Sequence, residues 1–234
     1  MKEHEIEAHF RKSCQLRDTF WNQVGTSDKD VIAPVINPAF TGGPRWPSLR
    51  QAFKVVRCKS TTIIASDGLS DPYDQEDDDP ATECSNGLGL EFYSETPGDL
   101  ENIMQSWQFA IVYAVSQNAA HAGNYRALLD DLGCISTELQ DIPVPGEFKN
   151  AEGRVGVFLG LPGKIGLTGK DEVTLSLETI KIVNVKLLTL RELKYLVANG
   201  AEGRKKLAEL FANNGLFGQK NDASISDLNR QSVV

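Results

Sequence analysis

Two strand-like segments on either side of an acidic run constrain the fold of this chain. Residues 61–66 are rich in Thr and Ile, and in residues 88–93 apolar side chains alternate with small or polar ones. β-branched residues and a period of two are typical of strands. Residues 53–58 have the same character, so a hairpin around Lys59-Ser60 is predicted. The sequence therefore predicts a sheet interrupted by an acidic loop.

Helix signals lie on both sides of these strands. Apolar residues between Glu3 and Val24 recur at spacings near four, which predicts an amino-terminal helix. Thr96-Pro97-Gly98-Asp99 has the form of a helix start. The helix that it opens should carry Ile103, Trp107 and Ile111 on its buried face. Trp107 is interpreted as a core residue.

The carboxyl-terminal half contains further strands and a helical pair. Strands are predicted at 155–159, 173–177 and 180–188 from alternating or continuous apolar residues. Thr189-Leu190-Arg191-Glu192 is a capping box, and the helix that it opens should stop at Asn199-Gly200. A second helix should then run to about Asn213.

This order of elements predicts the fold class. Strands and helices do not alternate regularly, which favours an α+β fold with a mixed β-sheet covered by helices. No linker is visible, so residues 1–234 are predicted to form a single domain with its core at about 25–215. Residues 219–234 are predicted to be a mobile tail or an addition to the sheet edge.

Composition excludes several functional classes. The chain has 24 Lys and Arg against 32 Asp and Glu, a formal net charge of -8. Such a surface repels phosphate backbones, so nucleic acid is not an expected partner. The four cysteines contain no C-x-x-C pair, so no zinc site is predicted. A charged amino terminus and the lack of a long apolar run predict a cytoplasmic protein without membrane contact.

No motif identifies a catalytic site, a metal site or a cofactor. The glycine-rich segment 163–170 departs from the phosphate-loop pattern, and the acidic run does not have EF-hand spacing. The run is interpreted as a solvated loop. One enzymatic alternative stays open, namely a carboxylate-based or metal-dependent hydrolase that uses Asp67, Asp71 and Glu91.

Four segments in a fixed order resemble the Suppressor of fused family. They are Asp67-Gly68-Leu69-Ser70-Asp71-Pro72, then Gly87-Leu88-Gly89-Leu90-Glu91-Phe92, the helix of Trp107 with Met104 before it and Gly123 after it, and Val185 to Leu193 leading to the Asn199-Gly200 break. The resemblance covers about residues 50–212. It implies the amino-terminal domain of that family, a mixed α/β domain that binds proteins and has no known catalytic site.

The same resemblance implies a partner class. Animal members restrain a transcription factor and carry a second domain, for which this chain is too short. Bacterial members typically have one domain, and many are thought to be immunity proteins that neutralise toxins. An acidic surface suits a basic toxin domain, because opposite charge steers association.

The predicted contact surface is the loop from Asp67 to Asp74 with the adjoining Trp46. Its members are Trp46, Asp67, Leu69, Asp71, Tyr73 and Asp74. Trp46 lies between two prolines and has two open interpretations, a plug at the edge of the core or an exposed indole that binds a partner. Gly68 and Pro72 are equally compatible with a tight turn that ends a strand.

Overall fold

The computed structural model describes residues 3–73, 84–161, 171–213 and 223–234. It contains one mixed sheet of eight strands with helices on both faces. The strands are β1 (Thr26–Ser27), β2 (Phe53–Arg57), β3 (Thr61–Ser66), β4 (Leu90–Pro97), β5 (Ile135–Leu139), β6 (Val155–Leu159), β7 (Glu172–Thr174) and β8 (Thr179–Leu187). The α-helices are α1 (Glu3–Val24), α2 (Trp107–Ala122), α3 (Tyr125–Leu132) and α4 (Leu190–Asn213).

The strand order is β1-β2-β3-β4-β8-β6-β5, and β7 also pairs with β8. β4 and β8 are parallel, with Leu90 aligned to Lys181, and the other pairs are antiparallel. β2 and β3 form the predicted hairpin. The predicted fold class, an α+β single domain with a mixed sheet, is confirmed.

α2 covers one face of the sheet, as its buried apolar stripe predicts. Ile111, Val112 and Val115 of this helix belong to the main core cluster, together with Phe92 of β4 and Val157 of β6. Trp107 is buried in the same cluster, so its interpretation as a core residue is confirmed. Burial of this apolar surface is the main driving force that holds helix and sheet together.

α1 and α4 cover the opposite face. Tyr93, the neighbour of Phe92 in β4, packs with Phe20 and Trp21 of α1, and Phe158, the neighbour of Val157, packs with Phe211 of α4. Because successive side chains of a strand point to opposite faces of the sheet, each of these strands contributes to two separate cores. At Gly156 of β6, a Cβ atom would lie 2.8 Å from Leu193 Cδ1, so the glycine permits the close approach of α4.

The predicted start of the helix that carries Trp107 is wrong by about ten residues. Thr96 and Pro97 still belong to β4, where Thr96 pairs with Thr62 of β3. The helix begins only after Ser106, whose Oγ accepts a hydrogen bond from Phe109 N at 3.1 Å. Pairing along the sheet therefore overrides the local capping pattern.

The capping box at the start of α4 is confirmed. Thr189 N donates to Glu192 Oε2 at 2.8 Å, and Glu192 N donates to Thr189 Oγ1 at 3.3 Å. The predicted break is also confirmed, because Gly200 has a non-helical backbone with φ of 55° and ψ of -130°. α4 is therefore two helical segments joined at a glycine.

Of the segment 219–234, for which a mobile tail and an addition to the sheet edge are the two expectations, residues 223–234 pack against the fold, and residues 219–222 lie outside the described residues. Ser226 N donates to Glu95 O at 2.8 Å, and Ile225 forms a parallel β-bridge with Glu95. Arg230 forms a buried ion pair with Glu192 at the start of α4. Across the described ranges, no helix is both long and apolar enough to cross a membrane.

Candidate functional site

One end of the sheet collects most of the residues selected from sequence. β3 ends here at Ser66, β4 begins at Leu90, and the irregular segment that precedes β2 ends at Ala52. Asp67 N donates to Ala52 O at 2.8 Å, which joins the segment before β2 to the residues after β3. The motif at 67–72 also lies beside Trp46, because a Cβ atom at Gly68 would be 3.2 Å from Trp46 Cε3.

A buried ionic network fixes the residues after β3. Arg17 of α1 contacts Asp67 at 2.8 Å and Asp71 at 2.5 Å. Arg50 contacts the same two carboxylates at 2.5 Å and 3.4 Å, and Ser48 Oγ donates to Asp71 Oδ2 at 2.8 Å. Two guanidinium groups thus bind two aspartates, so each carboxylate has several charge-assisted partners.

Glu91 of β4 also binds the turn that follows β3, from the side opposite to the two arginines. Its Oε1 accepts hydrogen bonds from Gly68 N and Ser70 N, both at 2.9 Å, and from Ser70 Oγ at 2.7 Å. Its Oε2 accepts from Ser66 Oγ at 2.5 Å. At Gly68 a Cβ atom would lie 2.3 Å from Arg50 O. Only glycine therefore fits this position of the turn.

The protonation of these groups follows from burial and charge. Burial alone would raise the pKa of Asp67, but the guanidinium groups of Arg17 and Arg50 lower it to about 2. Burial raises the pKa of Glu91, against the opposing charge of Arg17. Burial also raises the pKa of the neighbouring Cys14 thiol to about 11. This thiol is therefore protonated at neutral pH and is a poor nucleophile.

The structure does bring together the three carboxylates of the hydrolase alternative, but all three are buried. A general base must reach a substrate proton, whereas Asp67 and Asp71 face arginines and Glu91 faces the hydrogen-bond donors of the turn. Arginine charges occupy the place that a metal ion would need. Within the described ranges, no group of three or more His, Cys, Asp or Glu residues could hold a metal ion.

The predicted contact residues are mostly inside the protein. The side chains of Trp46, Asp67, Leu69 and Asp71 are buried, and Tyr73 is half-buried. Asp74 lies outside the described residues. Of the two interpretations of Trp46, the buried position corresponds to the plug, and its indole packs edge-on against Phe53 at 5.6 Å between ring centroids. A direct role of this set in partner binding stays a prediction.

An exposed apolar loop lies at the same end of the sheet, in the irregular segment before β2. Among the described residues, seven large hydrophobic side chains are exposed, and four of them fall between positions 31 and 40. We call this set the apolar loop; its members are Val31, Val35, Ile36 and Phe40. Val35 is fully exposed, Ile36 is 67% exposed and Phe40 is 74% exposed.

Hydrogen bonds hold the apolar loop in one conformation. Ile32 and Phe53 exchange backbone hydrogen bonds at 2.8 Å and 2.7 Å. Asn37 Oδ1 accepts from Ala39 N at 3.0 Å and so caps a short 3-10 helix, Pro38–Thr41, that carries Phe40. Asn37 Nδ2 also donates to the carbonyl of Leu49. The exposed apolar side chains are therefore presented by a fixed backbone.

Comparison with known proteins identifies the architecture. No family model matches the chain, and no curated protein sequence matches it. Among solved structures, the crystal structure of a Sufu-Fu complex contains a chain that matches with a TM-score of 0.56, at 12% identity, over 96% of this chain and 92% of that chain. This chain has a Suppressor of fused-like fold. The predicted resemblance is therefore confirmed for the fold.

A second structure with the Suppressor of fused-like fold is that of Drosophila Suppressor of Fused. It matches with a TM-score of 0.45, at 13% identity, over 74% of this chain and 39% of that chain.

The apolar loop was missed at the sequence level. The prolines at positions 34, 38, 44 and 47 predict an irregular segment but do not indicate which of its side chains are exposed. The available signal was the run Pro34-Val35-Ile36-Asn37-Pro38. Two prolines four residues apart prevent regular structure between them, so the apolar residues between them have no strand or helix with which to reach the core.

Proposed function

We propose that this chain is a non-enzymatic protein-binding module of Suppressor of fused type, and that it acts in the bacterial cytoplasm as an immunity protein. Its partner is a basic toxin domain, which it neutralises by covering it. The observation that carries this proposal is the apolar loop, whose side chains at 35, 36 and 40 are exposed on a backbone held by Asn37.

Exposure of these apolar side chains to water costs free energy, which is recovered when a partner buries them. Burying a large apolar side chain contributes about 1.5–3 kcal/mol relative to leaving it in water. Soluble proteins rarely expose several such residues together without a binding role. Because the backbone is already fixed, little conformational entropy is lost when a partner covers the loop.

Charge supports a basic partner. The formal net charge of -8 speeds association with a positively charged protein and opposes association with an acidic one. The structural match to a chain from a Sufu-Fu complex is consistent with a fold that serves protein recognition. The buried, arginine-paired state of Asp67 and Asp71 gives no comparable support to the hydrolase alternative.

The test uses a triple variant, Val35→Ser, Ile36→Ser and Phe40→Ser, and a control, Val197→Ser, which changes an exposed apolar residue on α4. Proteins from the source cell are captured on each form and identified. We expect one basic protein to bind the native chain and the control and to be lost from the triple variant.

A growth assay then tests neutralisation. Expression of the captured protein alone should stop growth, and co-expression of the native chain should restore it, whereas the triple variant should not. Thermal melting must first establish that the triple variant is folded. The proposal fails if the folded triple variant binds and protects as well as the native chain, or if the captured protein is not toxic.

A further inference from the structure

A cleft of about 600 Å³ lies between α2 and the end of β5. This volume is in the range of small-ligand sites in proteins. One wall is formed by residues 138–142 and Arg154, and the other is a stripe of α2 with spacings of three and four, which places its members on one face of the helix. The members of the stripe are Ala110, Tyr113, Ala114, Gln117 and Asn118.

A chain of side-chain amides ends at the α2 wall with an unpaired acceptor. Gln51 Nε2 donates to Pro44 O at 2.9 Å, and Gln117 Nε2 donates to Gln51 Oε1 at 2.8 Å. Pro44 O can only accept, so it fixes the orientation of both amides. Gln117 Oε1 is buried and accepts no hydrogen bond from any residue that the structure describes. A buried acceptor without a donor costs free energy, which a ligand N–H group would recover.

The other wall presents an unpaired donor. Arg154 Nη2 lies 3.0 Å from Glu152 Oε2, whereas Arg154 Nε is buried and has no hydrogen-bond partner within the described ranges. The carboxylates of Glu138 and Asp141 belong to the same wall. The cleft therefore offers one acceptor and one donor, beside negative charges that oppose the entry of an anion.

The cleft adjoins the apolar loop. Tyr113 lies 5.8 Å from Phe53 between ring centroids, and Phe53 exchanges backbone hydrogen bonds with Ile32 at 2.7 Å and 2.8 Å. Ile32 is the sequence neighbour of Val31, the first residue of the apolar loop. A partner that covers the apolar loop can therefore extend to the cleft.

We propose that this cleft binds the side-chain carboxamide of a glutamine or asparagine of the protein partner. The carboxamide N–H donates to Gln117 Oε1, and the carboxamide oxygen accepts from Arg154 Nε. This inference rests on the proposed function, because a residue of the same partner supplies the carboxamide.

The same geometry disfavours side chains of similar size. A glutamate or aspartate of the partner has the shape of the amide, but it lacks the N–H donor and is repelled by Glu138 and Asp141. A lysine or arginine has no acceptor for Arg154 Nε. An apolar side chain leaves both Gln117 Oε1 and Arg154 Nε unpaired.

Amino-acid probes test the cleft without the partner. Nα-acetyl-glutamine methylamide and Nα-acetyl-asparagine methylamide are titrated into the protein at pH 7 and followed by amide NMR spectra. The glutamate, lysine and methionine derivatives have the same backbone and are the control ligands. We expect saturable shifts at Ala114, Gln117 and Gln140 with at least one carboxamide probe. The three control ligands should bind more weakly by about fivefold or more.

Variants locate the binding. Gln117→Met and Arg154→Met should each weaken binding of the carboxamide probe by about fivefold. Gln105→Met and Arg11→Met, at exposed positions outside the cleft, should have no effect. Thermal melting establishes that each variant is folded.

A charge change separates recognition from a structural role. Asp141 has a φ of 58°, and asparagine accepts this left-handed conformation, so Asp141→Asn keeps the backbone while it removes one negative charge. It should narrow the difference in affinity between the glutamine and glutamate probes by about twofold or more.

The inference is overturned if the methionine probe binds as well as the carboxamide probes, or if neither carboxamide probe saturates up to its solubility. It is also overturned if folded Gln117→Met and Arg154→Met bind as the native chain does. The comparison of probes on the native chain decides the question even if a variant does not fold.

Failure of the cleft and failure of the proposed function give different results. If the probes fail while capture of a basic protein depends on the apolar loop, the cleft assignment is wrong and the proposed function stands. If the carboxamide probes bind in the cleft but no basic protein is captured, the proposed function fails.

Discussion

Arg17 Nη2 of α1 lies 2.5 Å from Asp71 Oδ1, although the two residues are 54 positions apart in the chain. Neither side chain is exposed. The contact ties the amino-terminal helix to the turn that follows β3, so α1 is part of the folded core. A buried pair of this kind adds little relative to apolar residues, but the loss of one partner is costly.

The first prediction concerns this network. Arg17→Met should lower the free energy of unfolding by about 3 kcal/mol, because it leaves two buried carboxylates with Arg50 alone. Chemical denaturation measures the change. Arg11→Met, on the same helix at a side chain that is 77% exposed, should change stability by less than about 0.5 kcal/mol. Equal effects of the two variants would contradict the role given to the network.

The second prediction concerns pH. The pKa of Asp67 is about 2 in the folded protein and about 3.9 in an unfolded chain. Ionised Asp67 therefore stabilises the protein above pH about 4, and about 2 kcal/mol of this contribution is lost as pH falls toward 2. The free energy of unfolding should be measured against pH for the native chain and for Asp67→Asn.

The difference between these two curves isolates Asp67. The Asp67→Asn reference is needed because burial raises the pKa of Glu91. Ionisation of Glu91 therefore lowers the free energy of unfolding as pH rises. Parallel curves for the native chain and Asp67→Asn between pH 2 and 4 would show that the arginines do not hold the carboxylate in its ionised form.

The third prediction concerns the carboxyl-terminal segment. Arg230 donates to Glu192 Oε1 at 2.6 Å, and both side chains are almost fully buried. Arg230→Met should lower the free energy of unfolding by about 3 kcal/mol and speed amide exchange at the start of α4, because Glu192 would lose its cation. Lys205→Met, at an exposed position, is the matched control. Native-like exchange in Arg230→Met would mean that this segment does not support α4.

The fourth prediction concerns the apolar loop. Asn37→Ala removes a cap and the hydrogen bond to Leu49, so it should destabilise the loop by about 1 kcal/mol and speed amide exchange at Ala39 and Phe40. Partner affinity should fall while the rest of the fold keeps its protection. Asn199→Ala, which removes a side-chain hydrogen bond to Tyr195 O on α4, should leave affinity unchanged. Equal partner affinity of Asn37→Ala and Asn199→Ala would show that order in the apolar loop does not contribute to binding.

The elements that could be predicted are those whose signals are local. The hairpin of β2 and β3 needed only a period of two around Lys59-Ser60, and the start of α4 needed only Thr189 and Glu192. β5 and α3 were not predicted. β5 carries three partly exposed polar residues between Ile135 and Leu139, so its strand character depends on pairing with β6.

The site was harder to predict because its chemistry depends on distant residues. Asp67 and Asp71 have the composition of a solvated acidic loop, and nothing near them in sequence indicates that Arg17 neutralises them. The segment 67–72 has a distinctive sequence, and in the structure its buried residues form the turn that follows the end of β3 at Ser66. Exposure of Phe40 likewise depends on whether another element covers it, which is a property of the whole fold.

The parallel pairing of β4 with β8 has a consequence for biosynthesis. The centre of the sheet joins strands from opposite halves of the chain, with Leu90 aligned to Lys181. A nascent polypeptide that has left the ribosome only as far as β6 would present β4 with an open hydrogen-bonding edge, which favours aggregation. Final assembly should therefore be a late, slow event after β8 emerges, and versions of the chain truncated before β8 should accumulate as insoluble material.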